Sequence, residues 1–206
     1  EILLFIFPLL SFLLFQFFNQ KIRSEILYAV NIFLFGISFL LSLYIFIKIL
    51  NLDNDIPLFF YSLIKLENLF IDWKLRFDLL VSGLIVLVTF IGLLITVYSI
   101  NLSKNNVINF QINSYLPLSI FGLLVLISSN NLIQFFLGWY IIILSSYFIS
   151  NISENKVAIR NVFFENRISD LCFFLSLYFI YTFSNSINFD VIFKSFQIIE
   201  NKITII

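Results

Sequence analysis

Apolar residues occur along this chain in long runs that are separated by short polar segments. There are six such runs, and each is close to the roughly 20 apolar residues that a helix needs to cross a bilayer. The pattern predicts an all-α polytopic membrane protein with a single domain over residues 1–206. The predicted spanning helices cover residues 2–18, 26–47, 79–100, 114–128, 132–150 and 157–183.

Two segments depart from this pattern. Residues 48–78 form a polar loop between the second and third helices, and residues 69–78 alternate apolar and polar side chains. Alternation of this kind predicts a short strand or hairpin, here on the membrane surface. Residues 188–206 mix apolar and charged positions, which predicts an amphipathic tail at the membrane interface. The final residues 203–206 are equally compatible with the start of another span.

The fourth and fifth predicted helices are joined by only Ser129, Asn130 and Asn131. So short a link predicts that the two helices are antiparallel neighbours. Pro117 is expected near the start of the fourth helix, where a missing backbone N–H costs little.

Composition excludes several classes of protein. With 61% hydrophobic and 12% charged residues, the chain does not fit a water-soluble enzyme. Its 12 basic and 12 acidic residues give no basic surface for nucleic acid. Its long apolar runs make lipids the expected surroundings. The chain has no histidine and one cysteine, Cys172, which argues against a zinc, haem or iron–sulfur site made by this chain alone. It also lacks a glycine-rich phosphate loop, so we expect no cofactor and no catalytic centre.

The apolar residues are also of an unusual kind. Phenylalanine supplies 29 residues, whereas glycine supplies five and methionine none. A mutational bias towards A/T-rich codons, common in organelle genomes, is our hypothesis for this excess, and a balanced base composition of the coding DNA would refute it. In the short loops, the basic residues fall on one side, which the positive-inside rule assigns to the cytoplasm or matrix: Lys21, Arg23, Lys104 and Lys156.

The sixth predicted helix carries charges inside an apolar run. Arg167 and Asp170 are three residues apart and therefore share a helix face, whereas Glu165 points to nearly the opposite side. An unpaired charge near the bilayer centre costs several kcal/mol, about 3 on insertion scales, so charges retained there predict a buried ionic site. The alternative is that the span begins later, near Asp170, and the charges are interfacial anchors that extend towards water.

The fifth predicted helix carries a polar stripe. Asn131, Gln134, Gly138 and Ser145 fall on one face at helical spacing. Such a stripe in lipid faces other helices, where it serves either close packing or a hydrated path. The residues alone leave both interpretations open.

Several short motifs occur together in a recognisable order. They are Ser129-Asn130-Asn131, Gln134-Phe135-Phe136, Gly138-Trp139, Leu144-Ser145-Ser146-Tyr147 and Asn166-Arg167-Ile168-Ser169-Asp170. Upstream, Phe77-Asp78 enters a predicted span and Tyr98-Ser99 leaves it. This arrangement, over residues 69–186, resembles chain 5 of the proton-pumping mitochondrial NADH–ubiquinone oxidoreductase, respiratory complex I. The antiporter-like chains 2 and 4 of that complex are the nearest alternatives.

The resemblance implies roles for individual residues. Arg167 and Asp170 match an Arg and an Asp that belong to the polar axis of the family's membrane arm. Gln134 and Ser145 would line a hydrated path of this axis. Tyr140 stands where the family has a glutamate that pairs with a lysine of the next helix. A tyrosine with an unperturbed pKa near 10 stays neutral at pH 7, yet its hydroxyl can pass a proton. Glu165 is a candidate to compensate for the missing acid.

The resemblance also implies partners and a location. Family members are several times longer, so this chain is similar to the amino-terminal part of a split or truncated chain 5. The expected partners are a chain with the missing part, the antiporter-like chain 4 and other membrane-arm subunits, in the mitochondrial inner membrane. The implied function is a non-redox subunit of the H⁺-translocating NADH:ubiquinone reductase. The alternatives are a scaffold without proton conduction and a free-standing small transporter or channel.

Overall fold

The computed structural model describes residues 2–18, 24–52, 56–66, 69–103, 107–152 and 156–203. Within these ranges the fold is helical, with one two-stranded hairpin between the second and third helices, so the predicted fold class is confirmed. The elements in chain order are α1 (Ile2–Phe18), α2 (Ser24–Leu52), β1 (Ile56–Leu66), β2 (Leu69–Phe77), α3 (Leu79–Ser103), α4 (Val107–Ile127), α5 (Leu132–Asn151), α6 (Lys156–Ser184) and α7 (Phe189–Ile203).

Helices α1 to α4 form a closed group. α1 packs on α2 and α4, α2 packs on α3, and α3 packs on α4. Apolar side chains such as Phe35 and Leu124 fill the space between them. Buried polar groups are paired across the same interfaces, because Ser11 donates to Asn31 and the hydroxyls of Ser42 and Thr89 lie 2.9 Å apart. Hydrogen bonds of this kind favour helix association in lipid.

Three of the described helices are long and apolar enough to cross a membrane by length and composition, namely α2, α3 and α5. α1 and the apolar part of α4 are shorter, at 17 residues or fewer. α6 has 29 residues, but its first half carries the charged residues of the predicted ionic site.

Several predicted helix ends are wrong by a few residues or more. α2 continues to Leu52, so Lys48 lies inside a helix and not in the polar loop. α4 begins at Val107, seven residues before the predicted start, because residues 107–113 continue the helix despite their polar composition. Pro117 is consequently in the helix interior, where membrane helices tolerate proline when neighbouring groups pair with the freed carbonyl.

The polar loop contains the hairpin that its alternation predicts. β1 and β2 pair antiparallel, from Ile56 opposite Phe77 to Leu66 opposite Leu69. In β2, Leu75 and Phe77 are buried, whereas Arg76 between them is partly exposed. The ring of Phe77 packs edge-on against Phe5 of α1 at 6.4 Å, so the hairpin rests on the end of the bundle.

Helices α5 to α7 extend from this bundle in sequence. α4 packs on α5, and α6 packs on α5. Gly122 of α4 lies against Ile142, whereas Leu126 of α4 lies against Gly138, so α4 and α5 run antiparallel as predicted. α6 ends at Ser184, and Asn185 has a positive φ of 50°, a backbone conformation that asparagine tolerates at helix C-termini. α7 occupies most of the predicted amphipathic tail, and the ring of its Phe196 stacks on Phe183 of α6. Residues 204–206, part of the candidate further span, lie outside the described residues.

Candidate functional site

The start of α5 is held by a side-chain cap. Asn131 has extended backbone angles, and its Oδ1 accepts a hydrogen bond from the backbone N–H of Gln134 at 2.7 Å. This bond satisfies one of the N–H groups that a helix leaves unpaired in its first turn. The link residues therefore also set the direction in which α5 leaves α4.

Removing this cap should weaken the α4–α5 pair. We expect Asn131→Ala to lower the free energy of unfolding by about 1 kcal/mol, the usual cost of losing an asparagine cap. The measurement is thermal unfolding followed by circular dichroism, with Asn130→Ala as the matched control. Asn130 contributes its backbone carbonyl to Phe189, which alanine retains. Equal losses in the two variants would contradict the capping role.

The polar stripe of α5 faces α4. A Cβ atom on Gly138 would lie 2.6 Å from the backbone nitrogen of Leu126 in α4, so the two helices approach there more closely than any side chain permits. Ser145 is buried, and its hydroxyl donates to the carbonyl of Ile142 in its own helix. Gln134 is only 1% exposed, and neither its Oε1 nor its Nε2 has a hydrogen-bond partner among the described residues. The stripe is thus a packing surface with one unsatisfied amide.

The opposite side of α5 faces α6 through aromatic rings. Phe136 packs on Phe173 and Phe174, with ring centroids 5.2 Å and 4.6 Å apart. Trp139 stacks nearly parallel on Phe173 at 6.3 Å, and its indole N–H has no partner among the described residues. These rings lie on one side of the charged residues of α6, Arg167 and Asp170.

Arg167 and Asp170 form the predicted ion pair. Arg167 Nη2 lies 2.9 Å from Asp170 Oδ2, although the groups are not aligned as a hydrogen bond. Asp170 is 6% exposed, whereas 41% of the Arg167 side chain is exposed. Neither carboxylate oxygen of Asp170 accepts a hydrogen bond from the described residues. Asp170 is therefore a buried carboxylate with room for additional donors.

Aromatic rings flank the guanidinium of Arg167. Its Cζ lies 5.9 Å from the ring centroid of Tyr140 in α5 and 5.4 Å from that of Phe163 in α6. Both distances are in the range of a cation–π interaction, which favours arginine over lysine at this position. Phe163 was not a predicted site residue, although its position four residues before Arg167 could have indicated it.

An open cavity adjoins the ion pair. Its volume is about 580 Å³ and it lies between α5 and α6. We call it the α5–α6 groove; it is lined by Phe136, Leu137, Tyr140, Arg167, Asp170, Leu171 and Phe174. Asp170 follows the start of α6 by about 21 Å at 1.5 Å per residue. The whole helix is about 43 Å long on the same rise, so the charges lie near its middle.

The structure unites only part of the predicted site. Arg167, Asp170 and Tyr140 meet in the α5–α6 groove. Gln134 is on the α4 side of α5, and Glu165 is exposed away from the groove. Within the described ranges, no three Cys, Asp or Glu side chains come close enough to share a metal ion.

Two family patterns match the chain. One, described as "NADH-Ubiquinone oxidoreductase (complex I), chain 5 N-terminus", matches residues 63–101. The other, described as "NADH:quinone oxidoreductase/Mrp antiporter, TM", matches residues 129–206 and thus includes the groove. Together they account for more than half of the chain. The chain belongs to the family of complex I chain 5.

Individual members of the chain 5 family are similar over most of this chain. NADH-ubiquinone oxidoreductase chain 5 of Chondrus crispus is 31% identical over 81% of this chain and 26% of its own length. Chain 5 of Acanthamoeba castellanii is 31% identical over 96% of this chain and 30% of its own length. NADH-quinone oxidoreductase subunit L of Rickettsia typhi is 29% identical over 97% of this chain and 31% of its own length. The chain therefore spans less than a third of the length of these relatives.

A solved structure shares the fold of this chain 5 family member. A chain of the membrane-bound sulfane sulfur reductase, an archaeal respiratory membrane complex, superposes with a TM-score of 0.74 at 15% sequence identity. The superposition covers 90% of this chain and 38% of that one. The arrangement of helices described above is thus one that a respiratory membrane complex contains.

Proposed function

We propose that this chain is a membrane-arm subunit of the proton-pumping NADH:ubiquinone oxidoreductase in the mitochondrial inner membrane. It supplies the N-terminal part of an antiporter-like proton-translocating unit. The observation that carries this proposal is the ion pair of Arg167 and Asp170, which lies midway along α6 beside an open groove. Ionisable residues at such depth are costly and mark ion or proton pathways.

The chemistry of the groove fits a proton-handling site. Among the described residues Asp170 pairs with one cation, Arg167, and its oxygens retain the capacity to accept hydrogen bonds from water. A cavity of about 580 Å³ has room for several ordered waters. Energy for proton movement through the groove would come from redox subunits by conformational or electrostatic coupling.

Tyr140 favours a second candidate function. Its side chain lies beside Arg167 and is a phenol, where the family resemblance implies a carboxylate. In the conducting function the Tyr140 hydroxyl relays a proton along the groove, and Gln134 and Ser145 serve hydration on the α4 side. In the second candidate, the chain is a scaffold of the same arm and does not conduct. Glu165 would take part in proton conduction only if a neighbouring subunit supplied a partner for its carboxylate.

The exposed side of the groove supports a proposal about its cover. Arg167 is partly exposed, and lipid hydrocarbon against a charged pair would be unfavourable by several kcal/mol, about 3 on insertion scales. We propose that spanning helices from the part of chain 5 that this sequence does not include cover the groove. The antiporter-like chain 4, further membrane-arm subunits and lipids would complete the surroundings.

Affinity purification tests this assignment directly. A tag on this chain, followed by blue-native electrophoresis and mass spectrometry of mitochondrial membranes, should recover the redox subunits of complex I with it. Peptides that match the remaining part of chain 5 should be recovered in equal amount. Recovery of the chain only in small assemblies without those subunits would refute the proposal.

A further inference from the structure

The ends of several elements meet at one side of the bundle. The backbone N–H of Arg76 in β2 donates to the carbonyl of Ser128 at the end of α4, at 3.0 Å. The N–H of Phe189, the first residue of α7, donates to the carbonyl of Asn130 at 3.3 Å. The hairpin and α7 thus approach the α4–α5 link together.

The side chain of Arg76 joins two carboxylates at this junction. Its Nη1 lies 3.2 Å from Asp190 Oδ1, and its Nε lies 3.3 Å from Asp78 Oδ2. The other oxygen of Asp78 accepts a hydrogen bond from the backbone N–H of Val81 and so caps α3. Asp190 is in the first turn of α7, where negative charge is favourable. One guanidinium therefore connects the starts of two helices that are far apart in sequence.

A chain of aromatic contacts leads from this junction to the α5–α6 groove. Phe189, which precedes Asp190, packs edge-on against Phe135 of α5 at 6.3 Å. Phe135 stacks on Phe173 of α6 at 5.9 Å. Phe173 follows Asp170 by three residues and packs on Phe136, which lines the groove. A displacement of the start of α7 would therefore move the ring of Phe189, which packs on Phe135 beside the α5–α6 contact.

We propose that Arg76 is a positioning residue that holds the start of α7, and with it Phe189, against the α5–α6 contact. By pairing with Asp78 and Asp190 at the same time, it makes the position of the surface hairpin a determinant of the packing beside Asp170. The role goes beyond the proposed function, because it holds whether or not protons pass through the chain.

Trp139 provides a probe of this coupling. Its ring lies at the α5–α6 contact on Phe173, and the chain has only one other tryptophan, Trp73. In the full chain with Trp73→Phe, reconstituted in lipid nanodiscs, Trp139 fluorescence reports on that contact alone. We expect Arg76→Gln and Asp190→Asn each to shift the emission to the red by several nanometres and to increase quenching by acrylamide. The double variant should show no more than the larger single effect, because both changes remove the same link.

Matched controls separate positioning from a general loss of charge. Lys194→Gln removes a charge from α7 about one turn beyond Asp190 and should leave the emission unchanged. Salt should shift the emission more in the chain that retains Asp190 than in Asp190→Asn, because at about 1 M the Debye length falls to about 3 Å and the Arg167–Asp170 pair is the same in both chains. This comparison does not use Arg76→Gln and remains decisive if that variant fails to fold. Equal salt responses in the two chains, unchanged Trp139 emission in Asp190→Asn, or additive effects of the two substitutions would overturn the proposal.

Discussion

Replacing Asp170 with asparagine is expected to reduce proton pumping by complex I more than electron transfer. The substitution keeps the shape of the side chain but removes the negative charge that lies 2.9 Å from Arg167. If this carboxylate is part of the conducting unit, reconstituted complex should move fewer protons for each electron pair at nearly normal NADH oxidation. The measurement is the proton-to-electron ratio in proteoliposomes. An unchanged ratio would leave the chain as a scaffold.

Two further variants separate this effect from instability. Asp170→Asn leaves the guanidinium of Arg167 unpaired, and we expect the free energy of unfolding to fall by about 1–3 kcal/mol. Breaking a fully buried ion pair costs about 3–5 kcal/mol. The expected loss is smaller because Arg167 is partly exposed. Arg167→Gln with Asp170→Asn should recover much of the stability and none of the pumping. Glu165→Gln removes an exposed carboxylate of the same helix and should change stability by less than about 0.5 kcal/mol.

Replacing Gly138 with valine should separate α4 from α5. Even a Cβ atom there would lie 2.7 Å from the Cα of Leu126, and this neighbour is backbone that cannot rotate away. We expect a loss of about 3 kcal/mol, the upper part of the usual range for overpacked cores. Because α6 packs on α5, assembly with other subunits should fall in the same variant. Thermal unfolding and the amount of assembled complex on native gels provide the two measurements.

Gly83 provides the matched control for Gly138. It lies in α3, and the nearest atom to an added Cβ would be Phe46 Cε2 at an ordinary 3.7 Å. Gly83→Ala should therefore be neutral or stabilise the helix by up to about 1 kcal/mol, the difference between glycine and alanine in helices. A similar loss in both variants would show that close approach of α4 and α5 is not what Gly138 provides.

The sequence predicted the helices well where apolar runs had clear ends. The start of α4 was missed because Asn109, Gln111 and Asn113 interrupt the apolar pattern, although the helix includes them. Hydropathy measures the preference of side chains for lipid, whereas a helix continues wherever its backbone hydrogen bonds and packing allow. The alternation in residues 69–78 predicted β2, in which Leu75 and Phe77 on one face are buried.

The candidate site was predicted in part, and the limits have a physical origin. Spacing along one helix places Arg167 and Asp170 on a common face, so their pairing could be predicted. Spacing also grouped Gln134 with Ser145, but it does not state which neighbour a face meets, and that face meets α4 and not the groove. The junction at Arg76 was not predicted, because Asp190 is 114 residues away and no local pattern relates them.

The packing order of the helices also bears on how the protein is made. α1 to α4 contact one another in a closed group, whereas α6 packs on α5 and α7. Chains emerge from the ribosome N-terminus first, and early segments fold before later ones are available. The four-helix group can therefore assemble in the membrane before Arg167 and Asp170 have been synthesised. The charged helix α6 then enters beside an assembled four-helix group, so the surroundings of its ion pair depend on α5 and on what is inserted next to it.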